Sequence, residues 1–189
     1  MANHSHGCHV CKLRIQELLT MLYGKVTLDY ELALPAKLDE YRVFPFYPAL
    51  SEIHEALQRF CGFAGFVMAD KLPAVDFFVH NPGFIVELED EQHFTLARAI
   101  TLAYYPNELA LGFLKARWVQ LARSVNHTDN ERPYRNEQVA WYDTLHDFSS
   151  AILDFKPTVR LPAFEQSWCT LDAGKEKDLE AFCKIVEFA

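Results

Sequence analysis

The stretch from Val75 to Phe94, VDFFVHNPGFIVELEDEQHF, constrains the fold more than any other part of the chain. Two short runs rich in Val, Ile and Phe flank Asn81-Pro82-Gly83, which is the signature of strand, turn and strand. Side chains alternate across a strand, so Asp76, Phe78 and His80 share one face, as do Ile85, Glu87 and Glu89. A loop centred on Asn81-Pro82 pairs Asp76 with Glu87, and one centred on Pro82-Gly83 pairs Asp76 with Glu89. Either register puts Asp76, Glu87 and Glu89 on the same side of the sheet. Carboxylates gathered in this way repel one another unless a cation sits among them. A divalent metal is the economical answer, and hard oxygen ligands suit Mg²⁺ or Mn²⁺. Such an ion lowers the pKa of bound water and holds a phosphate for in-line attack. The bland alternative is an amphipathic hairpin with a solvated acidic face. Phe78 and Ile85 weigh against it, because a carboxylate set among apolar groups points to function.

Helical spacing surrounds the hairpin. It runs from Cys8 to Tyr23, from Ser51 as N-cap to Gly62, from Phe94 to Tyr105, from Leu109 to Val125, from Pro133 to Leu153 and from Glu176 to Glu187. Three apolar runs have strand length: Phe63–Ala69, Ala74–His80 and Phe84–Glu89. A fourth, Thr158–Phe164, is an edge strand by virtue of Pro162. Lys25 to Pro48 is expected to be irregular. The order predicts an α/β (α+β) domain with a small mixed sheet flanked by helices. A single domain over 1–189 accommodates this, with an N-terminal helix and irregular arm (1–48), a core (49–105) and a helical C-terminal extension (106–189).

The residues of the hairpin resemble the PD-(D/E)XK nuclease superfamily, with a metal-binding Asp on one strand, Glu-x-Glu on the next and a helix after it. More narrowly, Glu87-Leu88-Glu89-Asp90-Glu91-Gln92-His93 is similar to the Glu-x-Asp-Gly-x-Gln-His pattern of proteins related to very-short-patch-repair endonucleases. The likeness covers Ser51 to Arg98. It implies a restriction-endonuclease-like core and Mg²⁺-dependent cleavage of a DNA phosphodiester at one end of the sheet. It also implies that Asp76, Glu87 and Glu89 form the metal-binding set and that Gln92 and His93 stand near the phosphate. His93 would then be a general base or polarise the attacking water. Glu52, or Glu55 one turn on, matches the acid often carried by the first core helix, and Arg98 would face the phosphate. Two departures stand out. Glu89 occupies the place where the superfamily usually has Lys, and Asp90 replaces Gly. The alternative is therefore an inactive nuclease-fold module that binds nucleic acid or protein.

Other features are weaker. Cys8 and Cys11, in a tract with His4, His6 and His9, are half of a zinc site; Cys61 and Cys183 are most simply core residues. Five cysteines, an odd number, with no apolar leader at the N-terminus fit reduced thiols in a cytoplasmic protein. No apolar run approaches the ~18 residues that span a bilayer, so no membrane partner is expected. The net charge of −8 argues against non-specific coating of nucleic acid but not against DNA held through a metal and a local basic patch. The best such patch interleaves Lys115, Arg117, Arg123, Arg132 and Arg135 with Trp118, Tyr134 and Trp141; its plain alternative is a solvated helix face with ion pairs. A protein partner and the oligomeric state stay open.

Overall fold

The structure is a computed structural model and describes residues 9–129 and 132–188. Among these the chain is mixed α/β. It runs α1 (His9–Tyr23), β1 (Val26–Tyr30), α2 (Tyr47–Cys61), β2 (Val75–Val79), β3 (Phe84–Glu89), α3 (Leu96–Ala103), α4 (Lys115–Val125), α5 (Arg135–Leu153), β4 (Val159–Pro162) and α6 (Glu176–Phe188). The four strands form one sheet in chain order. The first three make an antiparallel meander, and β4 lies parallel to β3 after a crossover through α3, α4 and α5. The segment expected as a helical extension thus supplies the fourth strand.

Helices cover both faces, which is why every residue of β3 and β4 is buried. On one face Phe77, Val79, Phe84, Val86, Leu88 and Leu161 pack against Ile15, Leu18 and Leu19 of α1 and against Phe182 and Val186 of α6. On the other, Phe78 and Ile85 join a larger cluster with Leu50, Ile53 and Leu57 of α2 and Trp141, Leu145 and Phe148 of α5. No described helix is long and apolar enough to cross a membrane.

Four local expectations are corrected. Val26–Tyr30 is a strand and not part of an irregular arm: Val26, Leu28 and Tyr30 alternate, and β2 supplies the partner that a short isolated run lacks. Phe63–Ala69 is not a strand. Phe66 is fully buried beside His54, so its apolar character serves packing without a ladder. α2 starts at Tyr47, ahead of Ser51, because Pro48 fits the first turn of a helix. α4 starts at Lys115, after Leu109, because Gly112 is drawn against β4. A Cβ at Gly112 would meet the Thr158 carbonyl oxygen at 2.6 Å, so only glycine allows that approach.

Candidate functional site

The hairpin adopts the first of the two registers, with Phe77 opposite Val86, Phe78 opposite Ile85 and Val79 opposite Phe84. The next pair in that ladder would be Asp76 and Glu87, and there the strands part. Side chains take over the main-chain bonds. The Asp76 N–H donates to Glu87 Oε2 at 3.0 Å, and the Leu88 N–H donates to Asp76 Oδ2 at 2.8 Å. Two carboxylates therefore meet at the open end of the hairpin. Each has its own cation. Lys12 of α1 forms an ion pair with Asp76 and lies 3.3 Å from Asp29. His146 of α5 brings Nδ1 to 2.7 Å from Glu87 Oε1, a charge contact rather than an aligned hydrogen bond. Its Nε2 donates to the Pro73 carbonyl at 3.1 Å. Burial opposes a charge on this ring, but the Glu87 charge overrides it and raises its proton affinity.

Two residues further along β3, Glu89 belongs to a second cluster. Trp118 Nε1 donates to Glu89 Oε2 at 2.5 Å, and Arg160 of β4 pairs with Oε1. Arg160 also reaches Asp147 at 2.7 Å and the Asp143 carbonyl oxygen at 2.8 Å, and its guanidinium lies over the Phe113 ring. Arg98 and Tyr105 both donate to the other oxygen of Asp147 at 2.7 Å. His93 Nδ1 lies 3.0 Å from Asp143. Four carboxylates (Glu87, Glu89, Asp143 and Asp147) thus face four cations (His93, Arg98, His146 and Arg160) between sheet and helix. Helical geometry explains the placement, since Asp143, His146 and Asp147 are spaced i, i+3, i+4 and look down on β3 and β4 from one stripe of α5.

The proton affinities follow from this pairing. Burial and the neighbouring Glu87 charge push Asp76 above the ordinary carboxylate range, against the pull of Lys12. Burial also opposes ionisation of Glu87, but the charges of His146 and Arg160 hold it below that range. Desolvation would lower His93; the Asp143 charge overrides it and raises the ring to about 10. Asp143 is correspondingly held far down by His93 and Arg160, despite its burial.

The predicted residues separate accordingly. Asp76 and Glu87 come together. Glu89 does not join them, because Arg160 and Trp118 draw it toward Asp143. Gln92 and His93 lie in a 3₁₀ turn, Glu91–His93, whose start is capped by Asp90. Glu52 is exposed on α2 and joins neither cluster, because the buried stripe of that helix is Leu50, Ile53, Ala56 and Leu57; Glu55 pairs with Arg59 on the same helix. Arg98 is fully buried on Asp147, so it does not face a phosphate. The basic-aromatic surface loses its stacking platforms. Trp118 is buried on Glu89, Trp141 donates to the Ala36 carbonyl inside the core, and Arg117 pairs with Glu165. Tyr134 remains half-buried, stacked on Phe63. Cys8 lies outside the described residues, and Cys11 is buried in α1. Sequence inspection missed Lys12, Asp143, His146, Asp147 and Arg160. The available signal was a polar stripe, Asp143, His146 and Asp147, interleaved with Trp141, Leu145 and Phe148 on one long helix.

One group has the geometry of a metal site. Glu89, His93 and Asp143 can each turn a ligand atom to within 4.8 Å of the others. Its mixed carboxylate and imidazole donors accept several divalent ions. An ion there competes with Arg160 for Glu89 and with a proton for His93. Asp76 and Glu87 offer oxygens alone, the donor set of Mg²⁺ or Mn²⁺. Comparison of the chain with protein-family models, with curated proteins and with solved structures returns no significant match.

Proposed function

We propose that this chain is a metal-dependent nuclease-like protein that hydrolyses phosphodiester bonds in DNA at the open end of the β2–β3 hairpin. The observation that carries the proposal is the parting of the two strands at Asp76 and Glu87, which brings two carboxylates from neighbouring strands together at a partly exposed edge. A bound Mg²⁺ or Mn²⁺ would supply an acidic water and a clamp on the phosphate. Asp76 and Glu87 would hold it. Glu89, two residues along, fixes Arg160 and with it the floor of the site. His93 keeps its proton at neutral pH, so it serves as a proton-bearing partner for a phosphate oxygen rather than as the base. Gln92, beside it in the same turn, would supply a second contact to that phosphate. Lys12 and His146 neutralise the carboxylates when metal is absent.

A second reading has its own support. Both oxygens of Glu89 are already taken by Arg160 and Trp118, which suits a nuclease-fold module that binds nucleic acid or protein without cutting. The two are separated by incubating the protein with single- and double-stranded DNA and RNA in Mg²⁺, Mn²⁺ or EDTA. On the catalytic reading the protein should cut DNA only with metal, and Glu87→Ala and the milder Asp76→Asn should both stop it while circular dichroism reports an intact fold. Absence of cutting, with no gain in thermal stability on adding Mn²⁺, would retire the catalytic reading in favour of the module.

A further inference from the structure

Between α2 and α3, a groove of about 510 Å³ opens to solvent. Its floor is small, with Ala56 and Ala99 contributing to it, and Phe60, Leu96 and Tyr104 rise beside it, each more than two-fifths exposed. Large apolar side chains left in water around an alanine-floored trough form a surface awaiting a partner. Two guanidiniums, Arg59 at the last turn of α2 and Arg123 at the last turn of α4, also line the groove, and none of its lining residues is acidic. Arg59 has Glu55 at 3.6 Å on its outer side, and both members of that pair are mostly exposed. This concentration of positive charge stands out on a chain of net charge −8.

We infer that the groove is a docking site for an acidic amphipathic helix of a partner protein. Ridges of the incoming helix would fill the trough between α2 and α3, with apolar anchors at i, i+3, i+4 and i+7 against Phe60, Leu96 and Tyr104. Glutamates on its flanks would meet Arg59 and Arg123. A second copy of this chain fits less well, because a two-fold contact through this face sets arginine against arginine. A nucleic acid fits less well too, because two guanidiniums do not track a phosphate backbone.

The test uses the full-length protein and two fluorescent peptides of about four helical turns, alike in their apolar positions, one with Glu and one with Lys at every flanking position. Anisotropy should show the acidic peptide binding at least ~10-fold tighter than the basic one. The Arg59→Glu/Arg123→Glu variant should reverse that order, and Tyr104→Ala should weaken both peptides. The three positions are exposed, and thermal melts check that the variants fold. Equal binding of the two peptides, or an acidic peptide indifferent to the arginines, would overturn the inference. So would a Tyr104-dependent dimer in sedimentation, or an oligonucleotide that displaces the acidic peptide.

Discussion

The two faces of the sheet solve the same packing problem by different means. Against α1 and α6 the contact is almost wholly apolar, with Phe77, Val79, Val86 and Leu161 meeting Ile15, Leu18 and Phe182. Against α5 the same strands turn Glu87, Glu89 and Arg160 inward to meet Asp143, His146 and Asp147. The apolar face gains from every square ångström removed from water and asks only that volumes match. The charged face gains little from ion pairing once desolvation is subtracted, yet it tolerates no missing member, because an orphaned buried charge is far more costly than an orphaned methyl. Even within the charged face there is a gradient. Glu89 is sealed, whereas Asp76 and Lys12 keep about a fifth of their side-chain surface exposed.

The largest effect expected is therefore at Arg160. Arg160→Met removes the one group shared by Glu89, Asp143 and Asp147 and should lower unfolding free energy by roughly 3–5 kcal/mol in urea titrations. A loss below about 1 kcal/mol would mean that the three carboxylates find other partners or take up protons cheaply. Phe77→Ala on the apolar face leaves a cavity under α1 and should lose about 3–4 kcal/mol, but without any pH dependence of its own. Similar losses, pH-dependent for Arg160→Met and pH-independent for Phe77→Ala, would establish that the faces differ in kind rather than in strength.

A smaller effect separates the two His–carboxylate pairs. His93 has its folded pKa raised from 6.5 to about 10, so its contribution is complete below pH 6.5 and drains away as pH rises toward 10. Thermal melts should fall across that window by the equivalent of ~2 kcal/mol, after allowance for solvent at a ring one-third exposed, and His93→Gln should flatten the slope. A slope unchanged in His93→Gln would reassign it to another group. The raised affinity also predicts that any ion taken up at Glu89, His93 and Asp143 expels a proton, so calorimetric titrations with Mn²⁺ or Zn²⁺ should show binding that strengthens with pH. Lys12→Met should cost less, about 1 kcal/mol, because Asp76 keeps about a fifth of its side-chain surface in water and takes up a proton more readily than an ordinary carboxylate.

The contrast between the faces also explains what could be read from the chain. Strict alternation marked β2 and β3; the turn left two registers open, and the structure adopts the one centred on Asn81-Pro82. Most helices were legible from their apolar stripes. The expectation that clustered carboxylates need a cation was sound, but the cations are the chain's own. Lys12 lies 64 positions before Asp76 (76 − 12), and Arg160 lies 71 residues beyond Glu89. No local pattern encodes such pairings; the first is fixed by the packing of α1 on β2, the second by the crossover that lays β4 beside β3. His146 gives no local signal, because its partner Glu87 is on another element. Trp118 and Trp141 looked like stacking platforms because an aromatic among arginines has the same signature whether it faces water or the core.

The parallel alignment of β4 with β3 has a consequence for how the molecule comes into being. The β2–β3 hairpin can close early on the ribosome, since its pairings are short in sequence, whereas β1 pairs with β2 across a long intervening segment that includes α2. The hairpin's acidic face cannot settle until Arg160 has left the exit tunnel and the chain has crossed over. Contacts of such long span slow folding, because the intervening loop loses its freedom before the contact repays it. The nascent protein therefore waits with Glu87 and Glu89 in water, and the last strand both completes the sheet and neutralises its most crowded charges. Late locking of this kind keeps a half-made hairpin soluble by self-repulsion and makes truncation anywhere before residue 160 incompatible with a closed fold.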